Sequence, residues 1–143
     1  PVASATSATS PTSGSLTLSE SSWTWGDISM AGGFATREGT FENASGEPLT
    51  LTTMSTSCMC TTVSLIRANG SIVGPKGMVG HGGPSSAVRE TIAPGETGML
   101  RVIFDPNAHG PAATGPIKRQ VMLETSSASQ PMIELTFSGN VIK

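Results

Sequence analysis

The sequence predicts an all-β fold, an immunoglobulin-like β-sandwich of about seven to eight strands, and three observations predict it. Short apolar runs alternate with polar residues at a period of two. Gly, Pro and Asn punctuate them at short intervals, and no stretch carries a helical period. The composition agrees: Ser, Thr and Gly are abundant, charged residues make up 13%, and the aromatics are only two Trp and four Phe. A chain of 143 residues accommodates one ordinary domain and can bury a core without several disulfides.

Taken in order, residues Pro1 to Ser15 are nearly all Ser, Thr, Ala and Pro, too polar to offset the entropy of ordering them. The sequence therefore divides into a flexible linker over 1–15 and a sandwich domain over 16–143. Leu16-Thr17-Leu18 alternates, and Ser22-Trp23-Thr24-Trp25 places both indoles on one face of a strand, as core anchors. A sugar-binding platform is the less favoured reading of that pair. Gly33 to Asn43, the polar turn Ala44 to Glu47 and the run from Pro48 to Leu51 read as a hairpin. Val63 to Arg67, the turn Asn69-Gly70 and Ser71 to Val73 read as a second one.

Gly74 to Ser86 holds five glycines and two prolines around Lys76, Met78 and His81 and is expected to be a long loop. After Val88, Ile92 and the Pro94-Gly95 turn, Leu100, Val102 and Phe104 share one face while Met99 and Ile103 lie on the other, so this strand belongs deep in its sheet. Asp105 to Pro116 forms a second Gly/Pro loop, containing His109. Val121 and Leu123, then Ile133, Leu135 and Phe137, mark the last two strands.

Several function classes are disfavoured. Eight basic and ten acidic residues give a formal charge of −2 with no Lys/Arg cluster, which excludes nucleic acid and anionic membranes as expected partners. No run of about twenty apolar residues could span a bilayer. A Gly-X-Ser-X-Gly elbow, a phosphate loop before a helix and a pair of carboxylates at acid/base spacing are all missing, so a non-enzymatic role is expected. The Ser/Thr/Pro stretch suits an exported protein, periplasmic, cell-surface or secreted, with an N-terminal membrane tether as one arrangement.

The segments Phe41-Glu42-Asn43, Gly46-Glu47-Pro48-Leu49, Ser57-Cys58-Met59-Cys60-Thr61 and Ile92-Ala93-Pro94-Gly95-Glu96 follow one another in an order that resembles a bacterial family of exported immunoglobulin-like domains. That family is related in architecture to Hydin and major-sperm-protein type domains, and its hallmark is a Ser-Cys-Gly-Cys-Thr segment. The resemblance runs from about Trp25 to Val141. It implies a seven- or eight-stranded sandwich, an exported location and no known enzymatic activity, and it supplies no ligand. The sequence departs from the family pattern at Met59, where glycine stands between the cysteines, and in the loops Gly77 to Gly82 and Asp105 to Pro111.

Cys58 and Cys60 are the only cysteines. In an extended segment an i, i+2 pair projects both sulfurs from one face with Cα atoms roughly 6.5 Å apart, so they can converge on one ion, while a disulfide there would sit near the limit of its geometry. Metal site, disulfide and inert thiols are the three readings. Thiolate and thioether ligands favour Cu(I), whereas two cysteines with two histidines also suit zinc. The candidate ligands are Cys58 and Cys60 with His81, and His109 and Met78 as further members. Met54, Met99, Met122 and Met132 are assigned to packing.

The leading expectation is an exported Cu(I)-binding domain for storage, transfer or detoxification. A structural or adhesion module with a Cys58–Cys60 disulfide and a protein partner is the alternative. A thiol redox protein ranks third, because no helix N-terminus or basic neighbour in the sequence would lower a thiol pKa.

Overall fold

The computed structural model describes residues 14–78 and 86–143. Two five-stranded sheets pack face to face, as the periodicity requires. The first has the order β1 (Thr17–Leu18), β3 (Ala35–Glu42), β8 (Thr97–Phe104), β5 (Thr61–Ile66) and β6 (Ile72–Lys76). The second has the order β2 (Ser22–Ser29), β10 (Met132–Ile142), β9 (Gly115–Thr125), β4 (Leu49–Thr56) and β7 (Ala87–Ile92). Among the described residues ten strands therefore stand where seven to eight were expected, one of them only two residues long. All pairs are antiparallel except β2 with β10.

Alternation fixes which side chains meet between the sheets. Leu100, Val102 and Phe104 from the central strand β8 are buried, as are Val121 and Leu123 of β9 and Ile133, Leu135 and Phe137 of β10. Trp23 and Trp25 join this core from β2. Trp23 stacks on Phe137 at 5.4 Å, and Trp25 meets Phe137 edge-on at 4.6 Å. Met54 is fully buried, but Met132, expected to pack, is 48% exposed near the start of β10.

The expected hairpin of Gly33–Asn43 with Pro48–Leu51 does not form: β3 and β4 lie in different sheets. Asn43 is the cause. Fully buried at the corner, it donates from Nδ2 to the carbonyls of Glu47 (2.7 Å) and Ile92 (3.0 Å), and its Oδ1 accepts from the Ser45 amide and hydroxyl. These bonds turn the chain across the core rather than back along its own sheet. At the same end Arg67 ties the sheets together, bonding Glu96 twice, Glu90 once and the carbonyl of Thr91.

The β5–β6 hairpin forms as expected, with Leu65 opposite Val73 and the turn closed by bonds between Arg67 and Ser71 and from Gly70 to Arg67. Of the expected Gly74–Ser86 loop, Gly74, Pro75 and Lys76 instead extend β6, and residues 79–85 lie outside the described residues. Gly74 adopts φ +117°, and a Cβ there would lie 2.8 Å from the Val63 carbonyl oxygen, so the strand needs glycine at this irregularity. The region expected to be a linker over 1–15 enters the described residues at Gly14, whose amide bonds Pro48 and whose carbonyl accepts from buried Ser127.

Candidate functional site

The site lies at the end of the sandwich opposite Asn43, where two connections cross between the sheets. Ser57 to Cys60 leads from β4 into β5, and residues 105–114 lead from β8 into β9. Backbone bonds hold the two crossings together. The Asp105 amide donates to the Cys60 carbonyl at 2.8 Å, and Ser57 and Gln120 exchange amide-to-carbonyl and amide-to-hydroxyl bonds at 2.9 Å each.

Cys58-Met59-Cys60 is a turn rather than the extended segment expected from the sequence. The Thr61 amide donates to the Cys58 carbonyl at 3.1 Å, and the buried Thr56 hydroxyl lies 2.8 Å from the carbonyls of both Cys58 and Thr61. The turn brings the two Cα atoms to 5.2 Å, well inside the range a disulfide spans, and the sulfurs are bonded to each other. Cys58 and Cys60 are 7% and 3% exposed, whereas Met59 between them is 54% exposed.

His109 is placed by a local turn: Asp105 Oδ1 accepts from the Asn107 amide at 2.9 Å, and Asn107 anchors the loop to the Met30 carbonyl at 3.0 Å. Its Nε2 consequently stands 3.2 Å from Cys58 Sγ. The ligand atoms of Cys58, Cys60 and His109 all fall within 4.8 Å of one another. Met78 sits beside them, paired with Thr56 as an isolated parallel bridge and lining the same open groove of about 590 Å3 as Cys58, Met59 and His109. Of the expected ligands, the fold thus gathers Cys58, Cys60, His109 and Met78, while His81 lies outside the described residues.

Arg119 of β9 is the residue the sequence did not disclose. Its Nε lies 3.4 Å from Cys60 Sγ, with the Thr61 hydroxyl also 3.4 Å away. The expectation that the cysteines have no basic neighbour is therefore corrected: an imidazole stands at one sulfur and a guanidinium at the other. No spacing rule could have found Arg119, because it arrives from 59 residues away through the register of β9 with β4.

Size decides what the disulfide contributes. Bridging i to i+2 closes a loop of only three residues, for which chain entropy gives about 1.6 kcal/mol, against about 3 kcal/mol for a fifteen-residue loop. A core of this size holds without so small a contribution.

Among the described residues, no helix is long and apolar enough to cross a membrane. No protein-family model and no curated protein sequence matches the chain. Solved structures do match in fold. A protein of unknown function from Porphyromonas gingivalis is 17% identical with a TM-score of 0.64, over 95% of this chain and 50% of the other. The seventh PapD-like (ASH) domain of human CEP192 is 12% identical with a TM-score of 0.51, over 90% and 85%. The secreted serine protease VesC from Vibrio cholerae is 8% identical with a TM-score of 0.51, over 90% and 23%. The chain spans about half the length of the Porphyromonas protein and under a quarter of the protease. At these identities the likeness is one of fold, an all-β sandwich.

Proposed function

We propose that this chain is an exported, non-enzymatic domain that binds Cu(I) for storage, transfer or detoxification once its disulfide is reduced. The observation that carries the reading is the convergence of Cys58, Cys60 and His109 within 4.8 Å, with Met78 in the same groove. Ligand atoms around a metal at about 2.0–2.3 Å stand roughly 3.5–3.8 Å apart, so the reduced pair needs only side-chain rotation to admit an ion. Charge favours Cu(I) over Zn(II). Two thiolates and an imidazole around Cu(I) carry one net negative charge, which Arg119 offsets, whereas the zinc complex is neutral and gains nothing from the guanidinium. Kinship with the exported immunoglobulin-like family, an extracytoplasmic location and tethering through the N-terminal Ser/Thr/Pro stretch belong to the same reading.

The test is anaerobic titration of reduced protein with Cu(I) and Zn(II) against a chromophoric chelator, with elemental analysis and a thiol count. One tightly held copper per chain is expected, lost when both cysteines become serine and weakened at least about tenfold in His109→Ala. Reduced protein that retains no copper would overturn the proposal.

The closed disulfide favours a second reading, a protein-interaction module with the pair oxidised. A partner that binds the oxidised chain and the double serine variant equally well would support it.

A further inference from the structure

We propose that the Cys58–Cys60 disulfide exchanges with external thiols in a fixed direction: Cys58 is the sulfur attacked, Cys60 is the sulfur that leaves, and anionic thiols are the preferred reactants. This inference does not rest on copper binding.

The direction follows from what surrounds each sulfur. Cys58 lines the open groove beside Met59 and Met78, while Cys60 is not among its lining residues and is the more buried of the two. A thiol entering the groove reaches Cys58 Sγ first. His109 Nε2, 3.2 Å from that sulfur and on an exposed side chain, is in position to take the proton of the incoming thiol. On the far side, Arg119 Nε and the Thr61 hydroxyl, each 3.4 Å from Cys60 Sγ, receive the negative charge as it forms.

The step balances. The incoming thiol gives its proton to His109, and its sulfur forms a bond to Cys58 Sγ. The Cys58–Cys60 bond breaks with its electron pair going to Cys60, which is held as a thiolate. A second thiol attacks the external sulfur of the mixed disulfide and releases Cys58, its proton passing to the departing Cys58 sulfur, while the proton taken up by His109 goes to Cys60. Overall, two external thiols are oxidised to one disulfide and the Cys58–Cys60 pair is reduced to two thiols. Run in reverse, the reduced pair passes electrons to an external disulfide.

The preference for anions comes from the rim. Lys118 and Arg119 line the groove, and no Asp or Glu is among its described lining residues. Glutathione, or a cysteine flanked by acidic residues, suits this field. An aminothiol such as cysteamine does not.

The experiment treats oxidised full-length protein with reduced glutathione, quenches in acid with a maleimide, and locates the adducts by fragment mass spectrometry. Glutathione on Cys58 and maleimide on Cys60 are expected. The opposite labelling, or a pair that resists glutathione while folded yet is reduced once unfolded, would overturn the proposal. A guanidinium this close favours a thiolate by roughly ten- to a hundredfold. If about half of that effect on a logarithmic scale reaches the rate, Arg119→Gln slows exchange with glutathione at least about three- to tenfold and with cysteamine by less, because the same charge also belongs to the rim. Lys118→Gln should slow glutathione alone and weaken the salt dependence of its rate. Equal rates for the two thiols in the native protein would remove the anion preference. Normal exchange with no copper retained would overturn the proposed function and leave this inference standing, and the converse result would do the reverse.

Discussion

Reducing the Cys58–Cys60 disulfide should leave the domain folded and nearly as stable as before. The bridge closes three residues, which limits its effect on the unfolded chain to about 1.6 kcal/mol. The corner has other supports: the Thr61-to-Cys58 turn bond, the Thr56 hydroxyl against two carbonyls, and the Asp105 amide on the Cys60 carbonyl. Both sulfurs remain within the core cluster, so little apolar burial is lost. For a chain of this size the change corresponds to about 5 °C in Tm. Urea unfolding of oxidised and phosphine-reduced protein, followed by tryptophan emission, measures it directly, because both indoles pack on Phe137. A loss above about 4 kcal/mol would refute the reasoning, since it would make the bridge the element that holds the corner. A reduced state that stays folded is also what both copper binding and thiol exchange require.

Asn43→Ala removes two donated and two accepted hydrogen bonds at a fully buried corner and should cost about 3 kcal/mol in urea unfolding, and a loss under 1 kcal/mol would deny Asn43 its role in turning the chain. Gly98→Ala places a Cβ 2.5 Å from both the Ile66 carbonyl oxygen and the Phe41 ring, and about 2 kcal/mol of overpacking is expected from the same assay. The Arg67 bond holds the Glu96 carboxyl below its usual value of 4.5 despite the opposing effect of burial. Its contribution is therefore complete above that pH and lost as pH falls through the lower folded-state value. Stability curves of the native chain and Arg67→Met should accordingly converge as pH drops below 4.5, and a constant gap would exclude the linkage.

The copper and thiol readings use one site in two oxidation states, and the same neighbours serve both. Arg119 offsets negative charge on the sulfurs whether that charge belongs to a leaving thiolate or to a copper complex. His109 is a ligand in one case and a proton acceptor in the other. Substituting His109 should therefore weaken copper binding and slow exchange together, whereas Lys118 should affect exchange alone.

Much of the architecture is local in origin and so was legible in the sequence. The period-two alternation of Leu100, Val102 and Phe104, of Val121 and Leu123, and of Ile133, Leu135 and Phe137 determined both strand identity and the buried face, because a strand has only two faces to choose from. Asn69-Gly70 determined a hairpin because the turn conformation is set within a few residues. What the tertiary structure alone decided is everything that depends on which sheet a strand joins. The run after Asn43 had the pattern of a hairpin's second arm, yet it lies in the other sheet, with Asn43 bonded to the carbonyls of Glu47 and Ile92 at the crossing. The cysteines announced a site by their spacing. That their segment turns, that His109 stands at Cys58, and that Arg119 stands at Cys60 follow from two sheet crossings meeting at one end, with partners 51 and 59 residues apart in the chain. Patterns of two to four residues carry local conformation, but a reactive environment is assembled from groups whose separation along the chain bears no relation to their distance in space.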